Sequence, residues 1–575
     1  MSPTHRTVGY LPLLVTTLLS ASLGAQAASR GERDVEDSNA LIMTAEIALQ
    51  RNDCGRAAAN YTNAASRLDD PKLAQRAAEV SLDCGQYAAA ERAAARWRQL
   101  QPKDPNALRA TVRADLGLYK IDDARTALDS WIKSSAFDRA NAPKGGDVAA
   151  AQISQMAQDA GVPATLAMLR GEQSSVLQTG ATQLVMADLA LDGYNYREAL
   201  QYAQRALNAG AARAESQLIL ARAHAGLGEA DEAVAAAGAA RSASPKDQTF
   251  AAADVLLLLG RERDARAALE ALRDNTATHN PAQRRLGLLE FNSGDYDEAQ
   301  RDFTELLKDP DSSAIAVYYL AAIAERRDDQ ATALRGYELL GGTPLEAEAR
   351  ARAATMLYKQ GQRDAALKLL QAGSEASPTD RLTAEIAQAQ LLSNGGENDQ
   401  ALARIADALA RFPGHPDLLY QKSILLEKAG RTDEAVSQLE SLYHDRSQDG
   451  TIGNALGFIL ADHNRDLGRA QKLIESALKA EPDNPAILDS LGWLDYRRGM
   501  ARAALPLLER AFRLAQDGDI GAHWGEVLWT TGDHAKARET WNRALLSDPD
   551  NALVKAAQQR VGVPQLPQTG TGTSI

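Results

Sequence analysis

The chain has 575 residues, 45% of them hydrophobic but only 5% aromatic, which favours closely packed helices because β-sheets are enriched in β-branched and aromatic side chains. A formal net charge of −13 disfavours nucleic acid or an anionic membrane as the main partner, since both bind basic surfaces. The two cysteines exclude a disulfide-rich scaffold and a cysteine-rich metal fold.

The first residues have the pattern of a secretory signal peptide. An apolar run from Val8 to Leu23 is followed by Ala25-Gln26-Ala27, the small–any–small pattern that precedes cleavage. We therefore predict a signal peptide over residues 1–27. The first cysteine is Cys54, so no lipoprotein box is present, and no later stretch reaches about 20 uninterrupted apolar residues. The sequence predicts an exported, periplasmic protein whose mature chain has no transmembrane span.

Cys54 and Cys84 are expected near the interhelical turns of the first two helical units. A pair of cysteines in an exported protein makes a disulfide reasonable. Equivalent turns of adjacent hairpins, however, lie about 10 Å apart, which is farther than a disulfide spans. The sequence leaves both the bridged and the reduced state open.

One sequence unit recurs along nearly all of the remaining chain. The full pattern is a small residue, then a turn glycine, an alanine and a large side chain, as in Gly525, Gly532, Ala537 and Trp541. The alanine recurs every 32 to 35 residues, apart from one gap of 75 residues. Its positions are Ala57, Ala90, Ala124, Ala199, Ala233, Ala265, Ala299, Ala333, Ala366, Ala401, Ala435, Ala470, Ala504 and Ala537.

A unit of about 34 residues with this pattern resembles the tetratricopeptide repeat, a helix–turn–helix unit. The resemblance implies an all-α fold, a right-handed α-solenoid of about 14–15 repeats. No single unit can bury its apolar face alone, so stability is expected to come from the stacking of neighbours. Ala164 is a candidate marker for a degenerate unit inside the gap.

The repeat spacing divides the mature chain into segments. The departures from the period lie in the gap, where a Pro- and Gly-containing stretch is a candidate break in the stack, and at the C-terminus. The predicted segments are N-terminal repeats over 28–135, an irregular helical connection or degenerate repeat over 136–182, the main solenoid over 183–551, a cap helix over 552–562 and a disordered tail over 563–575.

The sequence contains no recognisable catalytic constellation. It lacks a zinc-protease helix motif, a Gly-x-Ser-x-Gly nucleophile elbow and a phosphate-binding glycine-rich loop with lysine. Its eight histidines form no pair at metal-ligand spacing on one helix. We therefore predict no catalytic, cofactor-binding or metal-binding residues and no enzyme activity.

The first helices of such repeats form the concave face of the solenoid, where protein partners bind. The repeat register places a row of aromatic and charged residues on this face, and these are candidate anchors for an extended or helical partner. A second interpretation is that some of them, Tyr358 and Tyr496 especially, are consensus aromatics that pack at helix ends. The predicted groove residues are Phe291, Tyr318, Tyr358, Tyr420, Phe458, Trp493, Tyr496, Arg497, Glu526 and Trp529.

The C-terminal repeats carry a narrower resemblance. The segments 487–493 (ILDSLGW), 496–499 (YRRG), 504–509 (ALPLLE) and 522–529 (AHWGEVLW) are similar to a proteobacterial family of exported tetratricopeptide proteins. The best-known branch of that family consists of outer-membrane lipoproteins that bring a C-terminal-processing periplasmic protease to its substrates, which include peptidoglycan-cleaving hydrolases. The resemblance implies a non-enzymatic adaptor, but the lipidated cysteine of that branch is missing here.

Two functional hypotheses follow. The first is a periplasmic scaffold or adaptor, peripheral at most to the outer membrane, that links a protease to peptidoglycan hydrolases. The second is a component of an exopolysaccharide synthesis or export complex, because that pathway also uses long exported repeat proteins. The sequence leaves the partner and the oligomeric state open.

Overall fold

The computed structural model describes residues 30–134, 142–172, 174–246, 248–372, 378–549 and 551–563. Within these ranges the chain forms thirty-one α-helices and no β-strand. The predicted signal peptide and residues 564–575 of the predicted tail lie outside the described residues. The helices are α1 (Arg30–Gln50), α2 (Cys54–Arg67), α3 (Pro71–Asp83), α4 (Tyr87–Leu100), α5 (Pro105–Gly117), α6 (Ile121–Lys133), α7 (Ala142–Ala160), α8 (Val162–Leu169), α9 (Gly180–Asp192), α10 (Tyr196–Asn208), α11 (Arg213–Leu227), α12 (Ala230–Ala243), α13 (Ala251–Leu258), α14 (Glu262–Arg273), α15 (His279–Ser293), α16 (Tyr296–Leu306), α17 (Ser313–Arg326), α18 (Gln330–Glu338), α19 (Glu346–Lys359), α20 (Arg363–Gln371), α21 (Pro378–Asn394), α22 (Asn398–Arg411), α23 (Pro416–Lys428), α24 (Thr432–Asp445), α25 (Gly450–Asp462), α26 (Leu467–Ala480), α27 (Pro485–Arg497), α28 (Ala501–Leu514), α29 (Gly518–Thr530), α30 (His534–Ser547) and α31 (Ala552–Arg560).

Helices α1 to α30 form fifteen pairs of neighbouring helices, and α31 packs against α29. Each of the fourteen alanines that mark the sequence repeat lies near the start of the second helix of a pair, and Ala164 lies at the equivalent place in α8. All fifteen alanines are at most 1% exposed. A methyl group is the largest side chain that lets helices approach this closely, so the repeated alanine is a packing requirement. The predicted α-solenoid is confirmed.

Local chemistry fixes where many helices begin and end. Asp70 and Asn484 accept backbone N–H bonds from the first turns of α3 and α27, and a proline follows each of them at the first helical position. Gly430, Gly499 and Gly532 follow first helices of pairs with φ of 73°, 81° and 98°. These glycines adopt the left-handed conformation that commonly terminates a helix.

Small residues also set the distance between paired helices. A Cβ atom at Gly525 would lie 2.2 Å from Nε1 of Trp541, and one at Gly287 would lie 3.0 Å from Cζ of Phe303. The indole therefore occupies the space that a side chain at position 525 would need, and the phenyl ring leaves a Cβ atom at position 287 only a tight contact.

The part of the gap that the structure describes contributes one helix pair, α7 and α8, followed by a 3-10 helix at Ser175–Gln178. The second helix is short, at eight residues. One apolar core nevertheless runs through this pair, from Leu108 in α5 to Val255 in α13. Residues 135–141 of the same region lie outside the described residues.

The solenoid coils back on itself, which the sequence repeat does not predict. Helix α2 contacts α22, and residues between Ala45 and Ala114 share one apolar core with residues between Leu382 and Leu425. Later stretches of chain meet in the same order, as successive turns of a superhelix do. We call α1–α16 the first turn, α21–α30 the second turn and the contact between them the seam.

At the seam, loops that follow second helices in the second turn mostly contact turns inside the hairpins of the first turn. These loops bond through backbone as well as side-chain groups, so the contact fixes which residues of the two turns face each other. The polar contacts are Asp483 N to Tyr194 O at 3.2 Å, Arg170 Nη2 to Ala480 O at 2.9 Å, and Arg513 Nη1 and Nη2 to the carbonyls of Ala225 and Gly226 at 3.2 and 3.1 Å.

Among the helices described, none combines the length and the apolar character that crossing a bilayer requires.

Candidate partner-binding site

The structure places all ten predicted groove residues on first helices of the hairpins, distributed over α15, α17, α19, α23, α25, α27 and α29. It brings only some of them together. Trp493, Tyr496, Arg497 and Glu526 line one open cavity of about 610 Å³ at the C-terminal end of the solenoid. We call this cavity, with its further lining residues Asp462, Gly499 and Arg560, the terminal pocket.

The charges of the terminal pocket are arranged as two pairs. Arg497 contacts Asp462, with 3.2 Å between Nη1 and Oδ1, and Arg560 contacts Glu526, with 2.7 Å between Nη2 and Oε2. Glu526 is buried, whereas both guanidinium groups remain partly exposed. Two cations and two anions balance each other, so the pocket does not favour a strongly charged ligand.

Aromatic rings form the rest of the terminal pocket. Trp493 is buried and donates its indole N–H to Asp462 Oδ1 at 2.9 Å. Its ring centroid lies 5.2 Å from that of Tyr496, whose hydroxyl donates to Glu526 Oε1 at 3.3 Å. Burial is the main cause that raises the pKa of Tyr496, so this hydroxyl is protonated near neutral pH. A half-buried tyrosine ring bordered by guanidinium and hydroxyl donors suits an extended polypeptide.

A buried ion pair lies directly behind the pocket. His523 stacks on Trp493 with 4.2 Å between ring centroids, and Phe458 lies 5.8 Å from the same imidazole. Nδ1 of His523 lies 2.9 Å from Oδ2 of Asp489. Burial opposes a charged imidazole, but the adjacent Asp489 carboxylate outweighs it and raises the pKa of His523. The pair holds the ring that supports Trp493.

Trp529 is separate from the terminal pocket. It stacks on His534 at 4.1 Å between centroids, lies 5.8 Å from Trp541, and has the guanidinium of Arg538 above its ring at 4.9 Å. These contacts join α29 to α30. Trp529 therefore packs within its own hairpin, and its substitution would disturb that hairpin.

The remaining predicted groove residues are engaged in contacts between neighbouring units. Buried Tyr318 donates its hydroxyl to Glu348 of the next hairpin at 2.5 Å. Tyr358 donates its hydroxyl to Glu397. Phe291 packs against Tyr296 and Tyr319, and half-buried Tyr420 packs against the apolar core around α25.

Asp462 and Arg560 complete the pocket but were not among the predicted residues. Asp462 precedes Trp493 by 31 residues and Arg560 follows Glu526 by 34, so each lies about one repeat from its partner. Searching about one period on either side of each predicted groove residue would have found both. The repeat register carries this information because side chains of adjacent first helices meet.

Within the described residues, one group of side chains has a metal-like arrangement. Ligand atoms of Glu427, Asp462 and His463 lie within 4.8 Å of one another. Asp462 already accepts bonds from Trp493 and Arg497, and His463 Nε2 lies 3.4 Å from Glu427. Hydrogen bonds and ion pairing account for this group.

The two cysteines form a disulfide between α2 and α3. Cys54 and Cys84 have Cα atoms 5.4 Å apart. Cys54 begins α2 and Cys84 caps the end of α3, so the bond joins the end of one hairpin's turn to the beginning of the next hairpin's turn. This offset along the helices brings the Cα atoms closer than the spacing of packed helix axes.

Comparison with known proteins agrees with the repeat architecture. Residues 284–341 and 386–450 match the family model described as "Tetratricopeptide repeat". These two stretches are similar to tetratricopeptide repeats, and the fifteen helix pairs, with a buried alanine in each, agree with that repeat architecture.

Particular relatives cover parts of the chain. It is 33% identical over 211 residues to "TPR repeat-containing protein PA4667" of Pseudomonas aeruginosa, an alignment that covers 37% of this chain and 36% of that relative. It is 32% identical over 133 residues to "Cellulose synthase operon protein C" of Pseudomonas fluorescens, which covers 22% of this chain and 10% of that relative. The chain thus spans about a third or less of these relatives. Among solved structures, the APC/C hetero-tetramer Cut9–Hcn1 is 17% identical with a TM-score of 0.29, covering 93% of this chain and 96% of that one.

Proposed function

We propose that the protein is an exported, non-enzymatic scaffold of the cell envelope that binds protein partners through its terminal pocket. The partners proposed are a periplasmic protease and the peptidoglycan hydrolases that the protease degrades. The protein would act in the periplasm, peripheral at most to the outer membrane. The observation that carries the proposal is the pocket itself, where side chains from α25, α27, α29 and α31 bring the half-buried ring of Tyr496 together with two partly exposed arginines.

Charge and burial in the pocket support recognition of a polypeptide. Arg497 and Arg560 each keep part of the guanidinium exposed, so each has donors left for the carbonyl oxygens of an extended chain. The half-buried ring of Tyr496 offers apolar area at little cost in conformational entropy, and the buried indole of Trp493 holds that ring in place. The similarity to the PA4667 repeat protein over 211 residues is consistent with a repeat scaffold.

The experiment is affinity capture from envelope extract with the tagged chain from Ala28 to Ile575, followed by mass spectrometry. The test variant is Arg497→Ala, which removes donors from the pocket while Trp493 still bonds Asp462. The matched control is Arg502→Ala on α28, an exposed arginine outside the pocket. Trp493→Ala is unsuitable, because Trp493 is 3% exposed and supports the core.

We expect a protease or a peptidoglycan hydrolase to be recovered with the intact chain and with Arg502→Ala. Arg497→Ala should bind the purified partner about tenfold more weakly, as for an interface arginine worth about 1.4 kcal/mol. Equal binding by both variants would contradict the pocket as the binding site.

A second candidate is a component of an exopolysaccharide synthesis or export complex. The observation that favours it is the 32% identity over 133 residues to a protein named for the cellulose synthase operon. Recovery of polysaccharide synthesis or export proteins in the same capture, without a protease or hydrolase, would select this function. Loss of secreted polymer in a deletion strain, with normal levels of cell-wall hydrolases, would support it independently.

A further inference from the structure

The disulfide lies beneath the seam between the two turns. Cys54 and Cys84 are at most 3% exposed, and each is followed directly by a glycine. Both glycines face residues 413–416, the loop that joins α22 to α23 in the second turn. The cross-link therefore holds together the two places on the first turn where this loop rests.

The fit between glycines and loop is tight. A Cβ atom at Gly55 would lie 2.4 Å from Cδ of Pro413, and one at Gly85 would lie 2.6 Å from Nε2 of His415. Because a proline ring and a buried imidazole cannot move aside easily, the loop fits only if both glycines keep their relative position. The disulfide fixes that position, with Cα atoms 5.4 Å apart.

A route to the disulfide exists from the seam. Cys84 lines a cavity of about 610 Å³ between the turns, together with Asp83, Arg113, Asp159 and His415. The cavity wall contains an Arg113–Asp159 ion pair with 2.8 Å between Nε and Oδ2. A small thiol reagent that enters this polar cavity comes into contact with Cys84.

We propose that the Cys54–Cys84 disulfide is a redox-sensitive clasp that keeps the second turn of the superhelix docked on the first. Oxidised, it fixes the platform of Gly55 and Gly85 under the loop at residues 413–416. Reduced, it lets the start of α2 and the end of α3 move independently. The loop then loses one of its two supports, and the seam opens.

The reductant is a dithiol. One of its thiolates attacks Cys84 Sγ, the Cys54–Cys84 S–S bond breaks, and Cys54 leaves as a thiolate that takes up a proton. The second thiol of the reductant loses its proton and displaces Cys84 from the mixed disulfide. Cys84 takes up that proton. Two electrons pass to the protein, and the reductant becomes a disulfide.

Hydrogen–deuterium exchange provides the test, because one backbone bond crosses the seam far from the cysteines. Asp483 donates its N–H to Tyr194 O at 3.2 Å. The chain from Ala28 to Ile575 would be compared oxidised, reduced with dithiothreitol, and as the Cys54→Ser/Cys84→Ser variant. We expect the Asp483 amide to exchange about tenfold faster in the last two forms, while amides of α29, which lies within the second turn, keep their protection.

Two glycine variants separate seam opening from loss of the cross-link. Gly55→Ala keeps the disulfide but places a methyl group against Pro413, so its Asp483 amide should exchange as fast as in the reduced protein. Gly238→Ala on α12 has nothing within 4 Å of the new Cβ atom and should behave as the wild type. Faster exchange confined to residues 45–90 in the reduced form, or resistance of the native disulfide to dithiothreitol, would overturn the proposal.

Discussion

Equivalent glycines in the two turns of the superhelix have different surroundings. Gly85, Gly228 and Gly294 of the first turn have positive φ and lie within 4 Å of side chains from the second turn, measured from an added Cβ atom. Gly430 and Gly499 of the second turn have the same conformation, but nothing lies within 4 Å of them. The same local signal is thus found in a covered turn at Gly85, Gly228 and Gly294 and in an open turn at Gly430 and Gly499.

The repeat therefore determines the structure of each hairpin, but it does not determine what the surface of that hairpin contacts. In the first turn, the hairpin turns support the seam. In the second turn, the first helices instead support the terminal pocket, with aromatic and charged residues such as Trp493 and Glu526. Hairpin turns of the first turn therefore contact the second turn at the seam, whereas first helices of the second turn carry the candidate binding surface.

The largest expected effect contrasts two buried aspartates, Asp115 in the first turn and Asp489 in the second. Burial, followed by the charges of Glu91 and Asp123, raises the pKa of Asp115 to about 7. Asp489 has His523 as a partner. Asp115→Asn should therefore increase the free energy of unfolding at pH 8 by about 2–4 kcal/mol, whereas Asp489→Asn should decrease it by about 1.5–3 kcal/mol. Urea unfolding of the two variants at pH 8 measures whether the free energy of unfolding rises in the first and falls in the second.

The gain from Asp115→Asn should depend on pH. Between the ordinary pKa of an aspartate, 3.8, and the folded value of about 7, the folded chain binds the additional proton. The contribution of Asp115 to stability is therefore fully present below pH 3.8 and is lost as the pH rises through 7. The advantage of the variant should be small near pH 4 and level above pH 8. An advantage independent of pH would show that the carboxylate charge is not its cause.

The glycine comparison itself can be tested with a matched pair. Gly85→Ala and Gly430→Ala both place a Cβ atom on a left-handed residue, at a cost of about 1–2 kcal/mol each. Only Gly85→Ala also meets His415, so it should cost about 1–3 kcal/mol more through overpacking. The measurement is the midpoint and slope of urea unfolding. Equal losses in the free energy of unfolding would mean that the contact between Gly85 and His415 adapts to the extra methyl group without an energetic penalty.

A smaller effect is expected where the seam is held by hydrogen bonds. Arg513→Ala removes two bonds to the carbonyls of Ala225 and Gly226, and we expect a loss of about 1–2 kcal/mol. The control is Arg502→Ala, an exposed arginine on the same helix, which should change stability by less than about 0.5 kcal/mol. Thermal unfolding of both variants against the wild type would show the difference, and indistinguishable midpoints would contradict a stabilising role for Arg513.

The candidate site was predictable in part. The repeat register placed Phe458, Trp493, Tyr496, Arg497 and Glu526 on first helices, and the structure brings them to the terminal pocket or directly behind it. The register could not separate these residues from Trp529 or Tyr318, which pack between helices. Whether an aromatic ring faces a groove or a neighbour depends on side-chain packing that a one-dimensional period does not contain.

The amino-acid sequence was sufficient to predict the helices, their pairing and the tight packing within each hairpin. It was sufficient because contacts in a repeat protein are made between neighbouring units, and the alanine and glycine positions record those contacts directly. The seam, the disulfide between α2 and α3 and the identity of the covered hairpin turns are seen in the three-dimensional structure alone. These features depend on the rotation from each unit to the next, summed over many units. Small differences that no single repeat displays therefore decide which distant residues meet.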